Sequence, residues 1–126
     1  MEILKYKPEH EKAVLAALKA DPDWDMFTND DAIGPYKKSL KCSITYVSYN
    51  KNEFCGFVRA FIDEGFAVYI SELYIIPKWR NQKIGLSLLE RVKIDFPNLT
   101  VYALSDEDAY YDKLGYTTIG SVFELN

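Results

Sequence analysis

Apolar positions along this chain fall into short alternating or continuous runs, and at several places they change to the three- and four-residue spacing of a helix. Ile3 to Tyr6 suits a short strand. Pro8 then opens a stretch in which Ala13, Val14, Ala17 and Leu18 share one helix face, ending near Asp21-Pro22. A second helix is predicted over Asp30 to Leu40, capped by the Asp and Asn residues before it. Ser43 to Tyr49 and Glu53 to Ile62 are strand-like, and Asn50-Lys51-Asn52 between them fits an antiparallel hairpin. Asp63-Glu64-Gly65 turns the chain into a further strand, Phe66 to Ile76, which completes a meander. Pro77 cannot continue a central ladder, so the strand should stop there. Ile84, Leu88, Leu89 and Val92 then mark a helix from Gln82 to about Phe96, closed by Pro97-Asn98. Leu99 to Leu104 is a short apolar strand, placed by the intervening helix as a parallel neighbour through a right-handed crossover. Ser105 is expected to cap a short helix with Asp106, Glu107 and Asp108 in its first turn and Gly115 at its end. Tyr116 to Glu124 reads as a last strand or bent pair of strands. The pattern therefore predicts an α/β fold with a mixed sheet.

Composition narrows the class. The length of 126 residues suits a single domain spanning 1–126, and 48% hydrophobic with 27% charged residues is an ordinary globular composition. A net charge of -4 leaves no basic excess for neutralising phosphates, which weighs against a general nucleic-acid binder. Cys42, Cys55 and the lone His10 lack metal-ligand spacing and make a zinc site or a Cys-His nucleophile pair an unsuitable reading, so no metal is expected. No apolar run reaches membrane-spanning length and MEILKYKPEH has no signal-peptide core, so a cytoplasmic location without membrane attachment is the default expectation.

The stretch Ile70 to Leu89 carries the chemistry. A strand feeds a helix that begins within Arg80 to Lys83, and the first N–H groups of a helix have no partner inside it. Such groups attract anions, and Arg80 and Lys83 add positive charge beside them. An ordinary crossover would share this pattern. A second candidate is the acidic segment DPDWDMFTNDD, Asp21 to Asp31, with Trp24, Met26 and Phe27 embedded in it. Either it is a solvated loop that caps the next helix, or its carboxylates attract a cationic amine whose alkyl part the aromatics hold.

The run Glu72-Leu73-Tyr74-Ile75-Ile76-Pro77-Lys78-Trp79-Arg80-Asn81-Gln82-Lys83-Ile84-Gly85 resembles the acetyl-CoA-binding segment of the GNAT superfamily of N-acetyltransferases. There a strand ending in hydrophobic-x-Pro is followed by Arg/Gln-x-x-Gly-x-Gly/Ala at a helix start. Arg80 and Gly85 match, whereas Lys83 replaces the first glycine and could crowd a pyrophosphate. Ala109 to Tyr116, AYYDKLGY, is similar to the same family's aromatic-Tyr-x-Lys-Leu-Gly-aromatic segment beside the CoA thiol.

The resemblance implies the GNAT acyl-CoA N-acyltransferase fold, a central, mostly antiparallel sheet flanked by helices, and an acetyl-CoA-dependent N-acetyltransferase acting on a primary amine by direct attack in a ternary complex. It implies that the backbone of Leu73, Tyr74 and Ile75 meets pantetheine and the acetyl oxygen. Asn81, Gln82, Lys83, Ile84, Gly85 and Leu86 would hold the pyrophosphate, with Arg80 at its edge. Ser105 falls near a polar residue that often contacts CoA. Tyr111 would protonate the departing thiolate, since a phenol with a pKa of about 10 keeps its proton at neutral pH. Glu72 is the carboxylate nearest the acetyl position, on the face of Tyr74 and Ile76 and opposite Leu73 and Ile75; it could be the general base or the cross-strand partner of a lysine. The acceptor is a small-molecule or peptide amine, with a polyamine, an aminoglycoside or a lysine side chain compatible with the acidic segment. A homodimer is implied by the resemblance alone, and a non-catalytic acyl-CoA-binding or interaction module is the alternative that Lys83 raises.

Overall fold

Five strands form one sheet in the order β1-β2-β3-β4-β5, described over residues 1–126 by a computed structural model. β1 is Glu2–Lys5, β2 Ile44–Asn50, β3 Glu53–Asp63, β4 Ala67–Ile75 and β5 Thr100–Ala103. All neighbours are antiparallel except β4 and β5, which run parallel. The helices are α1 Glu11–Lys19, α2 Asp25–Thr28, α3 Ile33–Cys42, α4 Ile84–Asp95 and α5 Asp108–Lys113. The expected hairpin, meander and parallel crossover are all present, and the sheet is mixed.

The sheet separates two apolar layers. On one face Val14, Leu15 and Leu18 of α1 and Tyr36 and Leu40 of α3 pack on Val47, Phe57 and Tyr74. On the other, Ile84, Leu88, Leu89 and Val92 of α4 pack on Val58, Ala60, Val68 and Ile70. Leu15 joins the buried side of α1, while Ala13 and Ala17 are only half-buried, so the inward stripe is rotated from the predicted one.

β4 changes faces midway. Ala60 lies opposite Ile70 but Arg59 opposite Glu72, so Ser71 is an extra residue, a β-bulge. Val68 and Ile70 point to the α4 layer before the bulge, and Tyr74 packs in the α1 layer after it. The ladder between β4 and β5 covers only Ala67 to Ile70, extended by a bond from the Leu104 N–H to the Ile70 carbonyl. Beyond the bulge, the edge of β4 that faced β5 is open.

Four local expectations change. α3 begins at Ile33 because the Asn29 side chain accepts from the Asp31 and Ala32 N–H groups and holds a turn before the helix. α4 begins at Ile84, since Asn81 and Lys83 take left-handed backbone at φ 63° and 64°. Ser105 does not cap α5: its Oγ accepts from the Glu107 N–H two residues on, and the helix starts later, at Asp108. The last predicted strand is not formed. Tyr116 bonds back to Tyr111, and no backbone–backbone hydrogen bond joins the following residues to the sheet, leaving Ile119, Val122, Phe123 and Leu125 exposed. An alternating pattern makes a strand only where a neighbour completes its ladder.

Gly56 shows how closely β3 and β4 approach. A Cβ there would lie 2.5 Å from the Tyr74 carbonyl oxygen and 2.7 Å from Cδ1 of Ile75. The first obstacle is backbone and cannot step aside. Gly56→Ala should lower the unfolding free energy by about 1–3 kcal/mol, seen as a lower urea midpoint at unchanged slope.

Candidate active site

The connection from β4 to α4 is a chain of locally determined turns. Pro77 to Trp79 make one 3-10 turn, and Arg80 then folds back so that its Nε donates to the Ile75 carbonyl at 2.8 Å. Its guanidinium lies 5.4 Å from the centre of the Tyr74 ring. The left-handed residues Asn81 and Lys83 follow. Asparagine tolerates that conformation well; lysine does so at a cost of roughly 1 kcal/mol. Lys83 thus occupies a backbone shape natural to glycine, at the place where the GNAT pattern has one. The first α4 bond runs from the Ser87 N–H to the Lys83 carbonyl, and no hydrogen bond within the chain reaches the N–H groups of residues 81 to 86. Asn81, Gln82 and Lys83 are exposed, while Ile84 and Gly85 are buried and Leu86 is half-buried.

α5 rests on this helix start. A Cβ on Gly85 would collide with the Tyr110 hydroxyl, so the missing side chain is what lets Tyr110 lie against the first turn of α4. Tyr111 stands edge-on to Tyr110 with ring centres 5.3 Å apart. Burial first, then the neighbouring Tyr110, Asp106 and Tyr116, push the Tyr111 hydroxyl up to about 12, so it remains protonated throughout the neutral range. Leu73 and Ile75 pack toward α4, and their backbone belongs to the opened stretch of β4. Ser105 is exposed, and its hydroxyl is already used by Glu107.

Glu72 lies on the other face, as alternation required, but deep. Its side chain is 1% exposed and both oxygens are engaged. Arg59 Nε donates to Oε1 at 2.6 Å and Nη2 to Oε2 at 2.8 Å, while the Tyr36 hydroxyl donates to Oε1 at 2.6 Å. The guanidinium also donates to Ser43 Oγ and Ser71 Oγ at 2.8 and 3.1 Å. Burial, then the adjacent carboxylate, drives the Tyr36 hydroxyl far above its ordinary range. Of the two readings of Glu72, the cross-strand pairing is present, with an arginine in place of the expected lysine, and Arg59 and Tyr36 together enclose both carboxylate oxygens.

The acidic segment divides by side chain. Trp24 packs edge-on against Tyr74 and against Phe27, and Phe27 packs on Tyr36, so these rings are joined to the sheet. Met26 is 68% exposed and takes no part. Asp23 and Asp25 face solvent. Asp21 caps the next turn by accepting from the Asp23 N–H at 3.0 Å, and its other oxygen accepts from the Tyr74 hydroxyl at 3.1 Å. Beside it, between α1 and the end of β4, is a cavity of about 430 Å³ to which Asp21, Phe54, Tyr74 and Ile76 contribute. Arg59 and Tyr36 were not singled out by sequence, while Asp21 and Tyr110 lay inside the two segments read there without a role of their own. No group of three His, Cys, Asp or Glu side chains is arranged to hold a metal ion, and no helix is long and apolar enough to cross a membrane.

Residues 41–118 match the family model described as Acetyltransferase (GNAT) domain. No curated protein matches the chain in sequence. Among solved structures it is similar to a GNAT family acetyltransferase from Streptococcus pneumoniae, at 18% identity and a TM-score of 0.76 over 99% of this chain and 97% of that one. An acetyltransferase from Clostridium acetobutylicum, solved with acetyl-CoA, gives 16% identity and a TM-score of 0.72 over 99% and 95%. The aminoglycoside N-acetyltransferase AAC(6')-Iy, bound to the bisubstrate analogue CoA-S-monomethyl-acetylneamine, gives 14% identity and a TM-score of 0.73 over 99% and 96%.

Two stability measurements test this geometry. Arg59→Met strands the Glu72 charge and should cost about 3–5 kcal/mol, whereas Arg59→Met with Glu72→Leu should recover most of that loss in a double-mutant cycle. The raised Tyr111 hydroxyl makes the folded state bind more protons than the unfolded chain above pH 10. Its contribution is present in full below the ordinary value of 10.0 and is lost as pH rises to about 12. Urea midpoints should fall across that window, and less steeply in Tyr111→Phe.

Proposed function

Because this chain belongs to the GNAT family of acetyltransferases, we propose that it transfers the acetyl group of acetyl-CoA to a primary amine by direct attack in a ternary complex. The observation that carries the reading is the row of unbonded N–H groups at residues 81 to 86, adjoining the opened edge of β4 and the α5 tyrosines. Asn81, Gln82, Lys83, Ile84, Gly85 and Leu86 are the residues assigned to the CoA pyrophosphate. Left-handed backbone at residues 81 and 83 and the following helix start supply donors in the form that anion sites use. Arg80 and Lys83 add charge, and neither forms an ion pair within the chain.

The opened backbone of Leu73, Tyr74 and Ile75 is assigned to pantetheine and the thioester carbonyl. One acceptor there is already used, the Ile75 carbonyl held by Arg80, so Arg80 also fixes the end of this strand. Transfer requires that the acceptor ammonium lose a proton to water, that its nitrogen bond to the thioester carbon and give a second proton to water as the amide forms, and that the carbon–sulfur bond break. The thiolate then takes the Tyr111 proton, which solvent restores. Burial of Tyr111 supports the donor role by keeping the phenol intact, and its hydroxyl has no competing partner in the fold. Glu72 is assigned a positioning role: it holds Arg59 across the bulge and so maintains the open stretch of β4. Ser105 remains a candidate CoA contact at the start of the loop after β5.

The test is isothermal titration of the purified protein with acetyl-CoA, followed by thiol release in the presence of amines. Saturable micromolar binding is expected, with Tyr111→Phe lowering kcat by about 10²-fold or more at unchanged acetyl-CoA affinity. No binding at millimolar acetyl-CoA would overturn the transferase reading, and unchanged turnover in Tyr111→Phe would remove the proton donor.

A further inference from the structure

We infer that the acceptor is a monoamine with an apolar body, seated in the cavity between α1 and the end of β4 with its ammonium against Asp21; this rests on the transferase reading above. The cavity, about 430 Å³, is within the size range of small-molecule sites. One wall is made by Ala13, Ala16 and Ala17 of α1 and Ala20 just after it, which present methyl groups and no hydrogen-bonding side chain. Phe54, Ile76 and Pro77 extend the apolar lining, and Asp21 is the one charged residue in it. The cavity is open to solvent on one side, and a sugar hydroxyl laid against these methyls would lose its water on that side without replacement. A second or third ammonium would find no second carboxylate in the lining. A single ammonium on an alkyl or aryl frame matches both the lining and the charge.

The carboxylate is prepared for that contact. The Asp23 N–H and the Tyr74 hydroxyl take one position on each oxygen and fix its orientation, and a carboxylate has lone pairs to spare for an ammonium. Tyr74 also ties the cavity to the reaction. It is one of the lining residues and its hydroxyl bonds Asp21, while its backbone is part of the strand assigned to the thioester. Asp23 and Asp25, exposed outside the lining, contribute only to the field at the entrance.

The experiment compares 2-phenylethylamine and hexylamine with spermidine and neamine in a thiol-release assay on the full chain, with acetyl-CoA affinity measured separately by titration. The two apolar amines are expected to have the higher kcat/KM by at least about tenfold. Asp21→Asn keeps the oxygen that caps the turn and should raise the KM for 2-phenylethylamine while leaving acetyl-CoA affinity unchanged. Ala16→Leu, at an exposed position of α1 and with a good helix former, should do the same by filling the cavity. If acetyl-CoA binds but spermidine or neamine is preferred, if neither apolar amine is acetylated, or if both variants retain the original KM, the inference is overturned. Failure to bind acetyl-CoA at all would instead overturn the transferase reading on which it rests.

Discussion

The buried pair of Arg59 and Glu72 is the contact on which the architecture of the site depends. An ion pair withdrawn from water gains little net stability, because desolvation offsets most of the attraction. What it determines here is position. Arg59 bonds Glu72 on one side of the bulge and the bulge residue Ser71 itself, while Ser43 and Tyr36 complete the set from the helix side. A one-residue slip would leave two charges buried without partners, so the register past the bulge is strongly fixed. Everything that follows on β4 takes its direction from that point: its outer edge leaves β5, and its alternate side chains exchange layers.

The helix start is determined differently, by backbone shape. Two left-handed residues in three positions turn the chain from the strand end into α4. They leave a run of N–H groups without acceptors at the end of a twelve-residue helix, where the peptide dipoles add a partial positive charge. An overall acidic chain can thus hold a local anion site, because the donors are peptide groups and not a basic surface. Lys83 shows that the conformation, and not glycine itself, is what the turn requires. The strain of a Cβ in that region is of order 1 kcal/mol, small enough for the surrounding packing of α4 to absorb.

The sequence pattern exposed those parts of the fold that local chemistry dictates. The hairpin and meander followed from alternation and turn residues, and the helix after Pro77 from its apolar spacing. The pairing of Arg59 was not legible for a specific reason. Counting back from Asp63 opposite Ala67 places Arg59 opposite Ser71, and only the bulge moves it to Glu72. Neither Arg59 nor Ser71 marks a bulge in the sequence. Ser105 had the residue type of a cap, yet its side chain satisfied a nearer N–H and the helix began later. The segment after Tyr116 has strand-like alternation but lacks a ladder partner in this chain, a nonlocal condition that no local pattern contains.

One strand serves both halves of the proposed reaction, and the reason is geometric. Past the bulge, Leu73 and Ile75 face the α4 layer where α5 and the turn assigned to the pyrophosphate lie, while Tyr74 and Ile76 face α1 and the cavity beside Asp21. Because successive residues of a strand point to opposite faces, two ligands approaching from opposite sides of β4 meet at its backbone without competing for side chains. The open edge supplies that meeting place, since a paired strand would have its peptide groups occupied by a neighbour. Charge follows the same division. Lys83 belongs to the turn before α4 and the carboxylates of Asp21, Asp23 and Asp25 to the connection after α1, with Arg80 over the Tyr74 ring between them. In the proposed reaction the anionic donor and the cationic acceptor would meet charge of opposite sign on the two sides of Tyr74, and the stretch of β4 opened past the bulge is the backbone assigned to their reacting groups.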